Sequence, residues 1–126
     1  MADVLFDEIE VGTVLPSRTY TIEAGEVAAY RASLGLAEGD DVPPTFCVLL
    51  LREMRTLLPA PPGGIHAEQR FDFHSPLRIG DRIVVTSTVT EKYIRNERRN
   101  VVITTDFARE GGDLAIRGVA RRIWAR

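Results

Sequence analysis

His66 and Glu68 are the residues whose types and spacing most directly suggest chemistry in this chain. Two apart on an extended segment, they point to the same face. There an imidazole beside a carboxylate could work as a hydrogen-bonded general acid–base pair. They are the candidate catalytic residues, although the same spacing also suits a half-exposed polar face at a strand end or protomer edge. The second histidine, His74, lies on the same segment. Two histidines at this spacing, without a third or a cysteine beside them, do not make a metal site, and none is expected.

A second place for chemistry is Val42-Pro43-Pro44-Thr45-Phe46-Cys47. Proline is tolerated in a first helical turn, where its missing N–H would have no partner. The N–H groups of Thr45, Phe46 and Cys47 then have no acceptor within the helix. Left uncapped, they could polarise a carbonyl and stabilise developing negative charge, as an oxyanion hole does. Capping by Thr45 or by water is the plain alternative. Asp40 and Asp41 precede this point, where the helix dipole favours negative charge. Cys47 reads as a small core residue.

The elements that would position these groups follow from pattern. Residues 44 to 58 read as one helix, ended by Pro59-Ala60-Pro61-Pro62-Gly63-Gly64. Its first half is apolar on every side, so it must be covered all round, and only a β-rich remainder is there to cover it. Residues 14 to 22 read as a first strand and 26 to 34 as a short helix. After the proline-rich break every segment is β-like: 65 to 74, 83 to 95, 101 to 109 and 114 to 124. In the first of these Ala67, Gln69, Phe71 and Phe73 fall on one face, and His66, Glu68, Arg70, Asp72 and His74 on the other. Gln69 reads as a buried amide. Asn96 to Asn100 reads as a charged hairpin loop, and Gly118 as the mark of a bulge.

Composition sets the bounds. A chain of 126 residues, 44% hydrophobic and 27% charged, makes one ordinary globular domain with its own core. A net charge of −2 gives no electrostatic reason to expect nucleic acid. Lys92 is the only lysine and Cys47 the only cysteine, so no intrachain disulfide is possible. The first residues lack a basic leader pattern and no run approaches a membrane span. The expectation is a cytoplasmic protein with no membrane partner.

Three segments carry a resemblance to a known family: Val42-Pro43-Pro44-Thr45-Phe46, Ile65-His66-Ala67-Glu68-Gln69, and His74-Ser75-Pro76-Leu77-Arg78-Ile79-Gly80-Asp81-Arg82. With them the chain resembles the MaoC-like hydratases and dehydratases of the hotdog superfamily, most of all their N-terminal, fatty-acid-synthase-type dehydratase domain. The likeness runs from about Val11 to Trp124. It implies an α+β fold: a single hotdog domain over residues 1–126, with a curled antiparallel β-sheet wrapped around one long central helix. It implies an acyl thioester, on coenzyme A or an acyl carrier protein, as ligand. The reaction implied is reversible water addition to a 2-enoyl thioester, giving a (3R)-hydroxyacyl product without a cofactor. Tyr30, Asp41, Pro44, Thr45, Phe46 and Cys47 would line the substrate mouth. Protomers of this fold pair edge to edge, which implies a homodimer or a heterodimer.

One departure qualifies the resemblance. Active members carry an Asp and, five residues on, a His in the loop before the helix. Here Asp40 is followed at that distance by Thr45, and Asp41 by Phe46. Such a lesion resembles the binding half of a two-part enzyme, in which another hotdog subunit supplies the dyad. Three readings stay open: a non-catalytic acyl-thioester-binding subunit, a self-sufficient hydratase or thioesterase using His66 and Glu68, and a ligand-binding hotdog without turnover.

Overall fold

The computed structural model describes residues 2–126. Five strands form one antiparallel sheet: β1 (Arg18–Thr21), β2 (Ile65–Phe73), β3 (Arg82–Arg95), β4 (Arg98–Arg109) and β5 (Leu114–Trp124). Their spatial order is β1-β3-β4-β5-β2, which leaves β1 and β2 as the edges. Two helices, α1 (Ala24–Ser33) and α2 (Cys47–Met54), lie between β1 and β2 in the chain. Short 3₁₀ turns, Pro44–Phe46 and Arg55–Leu57, extend α2 at both ends. Helical backbone thus runs from 44 to 57, close to the predicted span. This is the curled sheet and central helix of the hotdog arrangement.

The covering of α2 explains why the apolar run 46–51 becomes part of a helix here. Phe46, Cys47, Leu50 and Met54 are buried against Ile83, Val85, Phe107 and Ile116 of the sheet, and against Val27 of α1. A side chain such as Leu50 contributes about 1.5–3 kcal/mol by this burial. The covering is incomplete. Leu49 and Leu51 are half-buried, and Val48 is exposed. Ile65 and Phe73, on the edge strand β2, are about half exposed as well (52% and 49%). The predicted all-round enclosure of α2 therefore holds on one side only within a single chain.

A smaller core closes the other end of the sheet, where Phe6, Ile9, Leu15 and Leu58 pack on Val89, Val101 and Trp124. The chain's one lysine anchors the N-terminal segment there. Lys92 Nζ donates to the carbonyls of Phe6 and Ile9, each at 2.8 Å, and sits 4.6 Å from the centroid of the Phe6 ring. Trp124 Nε1 donates to the Val4 carbonyl at 2.7 Å. Among the described residues no helix is long and apolar enough to cross a membrane.

Three local expectations are corrected. The first strand is regular only over Arg18–Thr21, because Pro16 cannot donate to a ladder; Val14 makes an isolated bridge to Thr88. The hairpin loop is two residues rather than five: Asn96 and Glu97 both have positive φ (51° and 63°), the geometry that matches strand twist, so pairing resumes at Arg98. Gly118 is not a bulge. It pairs in register with Phe71 and Thr105, and a Cβ there would lie 2.9 Å from the Phe71 ring. The bulge in β5 is at Ala115, which Phe107 and Ala108 skip in pairing with Ile116 and Leu114.

Candidate functional site

Two prolines set the start of the central helix. Pro43 is extended (φ −57°, ψ 139°), and Pro44 opens the 3₁₀ turn. The Phe46 N–H donates to the Pro43 carbonyl at 2.9 Å and the Cys47 N–H to the Thr45 carbonyl, so two of the three amides expected to be open at this end are already engaged. No side chain caps the turn. The Thr45 hydroxyl instead meets the Tyr30 hydroxyl at 2.7 Å. The Tyr30 ring stands edge-on to Phe46, with centroids 5.6 Å apart. Helix α1 thereby braces the start of α2. Phe46 and Cys47 point into the core, 1% and 0% exposed, and can only back a binding wall. Burial pushes the Cys47 thiol up to about 11, so it is protonated and unreactive at neutral pH.

The loop before the helix hangs on Arg31. Its guanidinium donates to the Ala37 carbonyl (2.9 and 3.2 Å) and to the Asp41 carbonyl (2.9 Å). The Asp41 residue is exposed. Asp40 lines a separate hollow against α1 with Ala28 and Arg31.

The wall facing the helix start comes from the chain leaving β2. Phe73, His74, Ser75 and Leu77 enclose a cavity of about 240 Å³ with Val42 and Pro44. The bulged Ala115 positions this turn, because its carbonyl accepts from both the His74 and Ser75 N–H groups (2.8 and 3.2 Å). Arg109 clamps it. That side chain donates to Ser75 Oγ at 2.7 Å and to the Pro76 carbonyl, and pairs with Asp81 (3.4 Å) and Asp113 (3.2 Å). Asp81 in turn accepts from the Arg78 N–H at 2.9 Å. Gly80, at φ 92°, lets its own N–H reach the Ile22 carbonyl at 2.8 Å, tying the turn to the end of β1.

The His66/Glu68 pair does not form. The register of β2 on β5 shifts between them: His66 is opposite Arg122 and Glu68 opposite Arg121. Ala67 is the extra residue. Since neighbouring residues of β5 face opposite sides, so do His66 and Glu68. Glu68 stands on the outer face, paired with Arg121 at 3.2 Å, while Arg121 also donates to Asn100 at 2.9 Å. His66 stands on the helix side with Gln69, Arg55 and Arg122. Burial first, then Arg55 and Arg122, hold its pKa below the usual histidine value. Gln69 is exposed rather than buried, and its amide donates to the Arg70 and Val119 carbonyls.

The expected site residues thus fall into three places. Tyr30, Asp41, Pro44, Thr45, Phe46 and Cys47 gather at the start of α2. His66 lies beyond its far end, near Arg55, about 16 Å along the helix from Pro44 at 1.5 Å per residue. Glu68 is outside the sheet. Sequence reasoning missed His74 and Ser75 as wall residues and Arg109 as their clamp. The family-like segment from His74 to Arg82 was a cue to the turn, but nothing local to Arg109 announces its role. Among the described residues no three His, Cys, Asp or Glu side chains gather to hold a metal ion.

Comparison with known proteins agrees with this architecture. A MaoC-like dehydratase of Rhodospirillum rubrum superposes with a TM-score of 0.80 at 20% identity, over 98% of this chain and 97% of that one. The R-hydratase PhaJ1 of Pseudomonas aeruginosa gives 0.77 at 23% identity, over 97% and 86%. The C-terminally truncated HadBC (3R-hydroxyacyl-ACP dehydratase) complex of Mycobacterium tuberculosis gives 0.75 at 14%, over 90% and 96%. At such identities the likeness is one of fold. A UPF0336 protein of Parafrankia sp. (strain EAN1pec) is 39% identical over 56 residues, 43% of this chain and 36% of that protein, so the matched part spans about a third of that relative. Residues 39–112, from the loop before α2 through the turn after β4, match the family model described as FAS1-like, dehydratase domain region. That match takes in more than half of the chain, including the helix start and the turn clamped by Arg109, and it makes this protein a member of that dehydratase-domain family, with the hotdog fold of the MaoC-like dehydratases.

Proposed function

We propose that this chain is the acyl-thioester-binding, non-catalytic subunit of a two-part dehydratase acting on (3R)-hydroxyacyl or 2-enoyl thioesters. One observation carries the reading. The position five residues after Asp40, where active members of the resembled family hold histidine, is Thr45, and its hydroxyl is bonded to Tyr30. The protein's own histidines stand elsewhere: His74 across the cavity from Val42 and Pro44, and His66 beyond the far end of α2. Neither aspartate lines the cavity that holds His74. Without a base held against a water, hydration lacks about 10²–10⁴-fold from each missing general acid–base group.

The binding half of the role has the parts it needs. Pro44 and exposed Thr45 form the rim that a thioester carbonyl would meet, with the helix dipole favouring charge that develops on its oxygen. In this reading Tyr30 and Asp41 would stand at the mouth, and Phe46 and Cys47 would back the wall. Assembly follows from exposure: Val48, Ile65 and Phe73 leave apolar surface beside the unpaired edge of β2, where a second hotdog would add its own strand. HadBC, a structural likeness of this chain, is itself a complex of dehydratase subunits. The test is to assay the purified protein alone, and with a hotdog partner bearing the Asp/His pair, against 2-enoyl thioesters. The mixture should turn over and the single chain should not.

A further inference from the structure

At the end of α2 away from Pro44 lies a second cavity, of about 50 Å³, partly open to solvent. Leu15, Leu51, Met54, Leu58, Ile103 and Ala120 wall it. Two hydroxyls, those of Ser87 and Thr105, also line it; they are buried and bonded to each other at 2.7 Å. Two cations, Arg55 and Arg122, complete the lining with Gln69, Gly118 and His66, whose lowered pKa favours the neutral imidazole. The Ala67 bulge is what brings His66 opposite Arg122 on this side of the sheet. Among the described residues no carboxylate lines the cavity, and neither arginine has an ion-pair partner. Arg122 is half-buried and lies over the Trp124 ring, 5.3 Å from its centroid. Burial, and then Arg55, lower its pKa, as expected of cations gathered without a counter-charge.

We propose that this cavity binds a short-chain carboxylate, with the carboxylate held by Arg55 and Arg122 and the alkyl tail among Leu51, Met54 and Leu58. A planar guanidinium fork matches a carboxylate bidentately, and the apolar walls suit a tail that inorganic anions lack. On this measure one water-sized group needs at least about 10–15 Å³, so the cavity takes about three to five such groups, the tail of a four- to six-carbon acid. The site is separate from the helix start and stands whether or not the subunit role holds.

The test is calorimetric titration of the full chain with hexanoate, with 1-hexanol and inorganic phosphate as controls. Hexanoate should bind saturably, and each control at least about tenfold more weakly. Arg122→Gln and Arg55→Gln should each weaken hexanoate about tenfold, the loss of one charge-assisted interaction. Ala120→Leu, which fills the cavity and keeps its charges, should block it. If Arg122→Gln does not fold, the exposed Arg55 and the Ala120 variant carry the test. Equal binding of hexanol, or equal binding of phosphate, overturns the proposal. So does an absence of hexanoate binding, and most plainly if Arg55→Gln then dissociates an oligomer in sedimentation, since the cations would be facing a partner's carboxylate.

Discussion

His66 and Glu68, two residues apart on β2, leave the sheet on opposite faces because Ala67 is bulged out between them. One consequence is thermodynamic. Residues without shared partners contribute additively to stability within about 0.3–0.5 kcal/mol. Urea unfolding of His66→Ala, Glu68→Ala and the double variant should therefore show no coupling beyond that range. A coupling of about 1 kcal/mol or more, the size a hydrogen-bonded pair would give, would mean that the two side chains meet.

The pH dependence of stability should carry the mark of His66. Its folded pKa lies below the unfolded value of 6.5, owing to burial and to Arg55 and Arg122. The unfolded chain then binds the proton more readily, so stability rises with pH across that window. The contribution is fully present above the unfolded pKa and is lost as pH falls through the folded one. Thermal midpoints of the wild type should decline between neutral and mildly acidic pH more than those of His66→Gln. Parallel curves would remove His66 as the source.

Arg109 should matter more than its place on a strand suggests. It bonds Ser75 and the Pro76 carbonyl and pairs with Asp81 and Asp113, with its side chain only 22% exposed. Arg109→Gln should cost about 2–3 kcal/mol in denaturant unfolding, since charged hydrogen bonds and a partly buried carboxylate partner are lost together. It should also loosen the His74–Asp81 turn, which amide exchange at His74 and Ser75 would show. A cost under about 0.5 kcal/mol, the size of an ordinary surface change, would contradict the clamp.

The buried face of α2 gives a sharper stability test. Leu50 is 7% exposed, between the sheet and α1. Leu50→Ala should cost about 2–5 kcal/mol, and Leu50→Asp should prevent folding or cost more, through an unpaired buried charge. Val48→Ala, on the exposed side, should leave the stability of the isolated chain within about 0.5 kcal/mol.

Much of this architecture was legible in the residues themselves. Pro44 and the apolar run after it located the helix, and alternation gave β2, β3 and β5 nearly to the residue. What escaped was whatever breaks a period without a compositional mark. The bulge at Ala67 adds one residue to β2 with no glycine or proline to announce it, and that single residue dissolves the predicted acid–base pair. Gly118, which does look like a bulge, is instead the space into which the Phe71 ring packs. The two-residue turn at Asn96 and Glu97 was hidden because neither is glycine, although both adopt positive φ. The helix begins where Pro44 located it, but its amides were not all open, since the Pro43 carbonyl takes that of Phe46 and the Thr45 carbonyl that of Cys47. Long-range clamps such as Arg109 on the turn after β2 have no local signal at all.

The role proposed for the protein turns on the residue at position 45. Hydration of a 2-enoyl thioester, followed by loss of its conjugated absorbance, should be at background with this chain alone. It should appear on mixing with a hotdog partner that bears the Asp/His pair, and vanish when the partner's histidine is replaced. General acid–base groups contribute about 10²–10⁴-fold each, so the contrast should exceed about a hundredfold. Robust turnover by the isolated chain would contradict the non-catalytic assignment, and abolition of that turnover by His74→Ala or His66→Ala would show which histidine replaces the missing one.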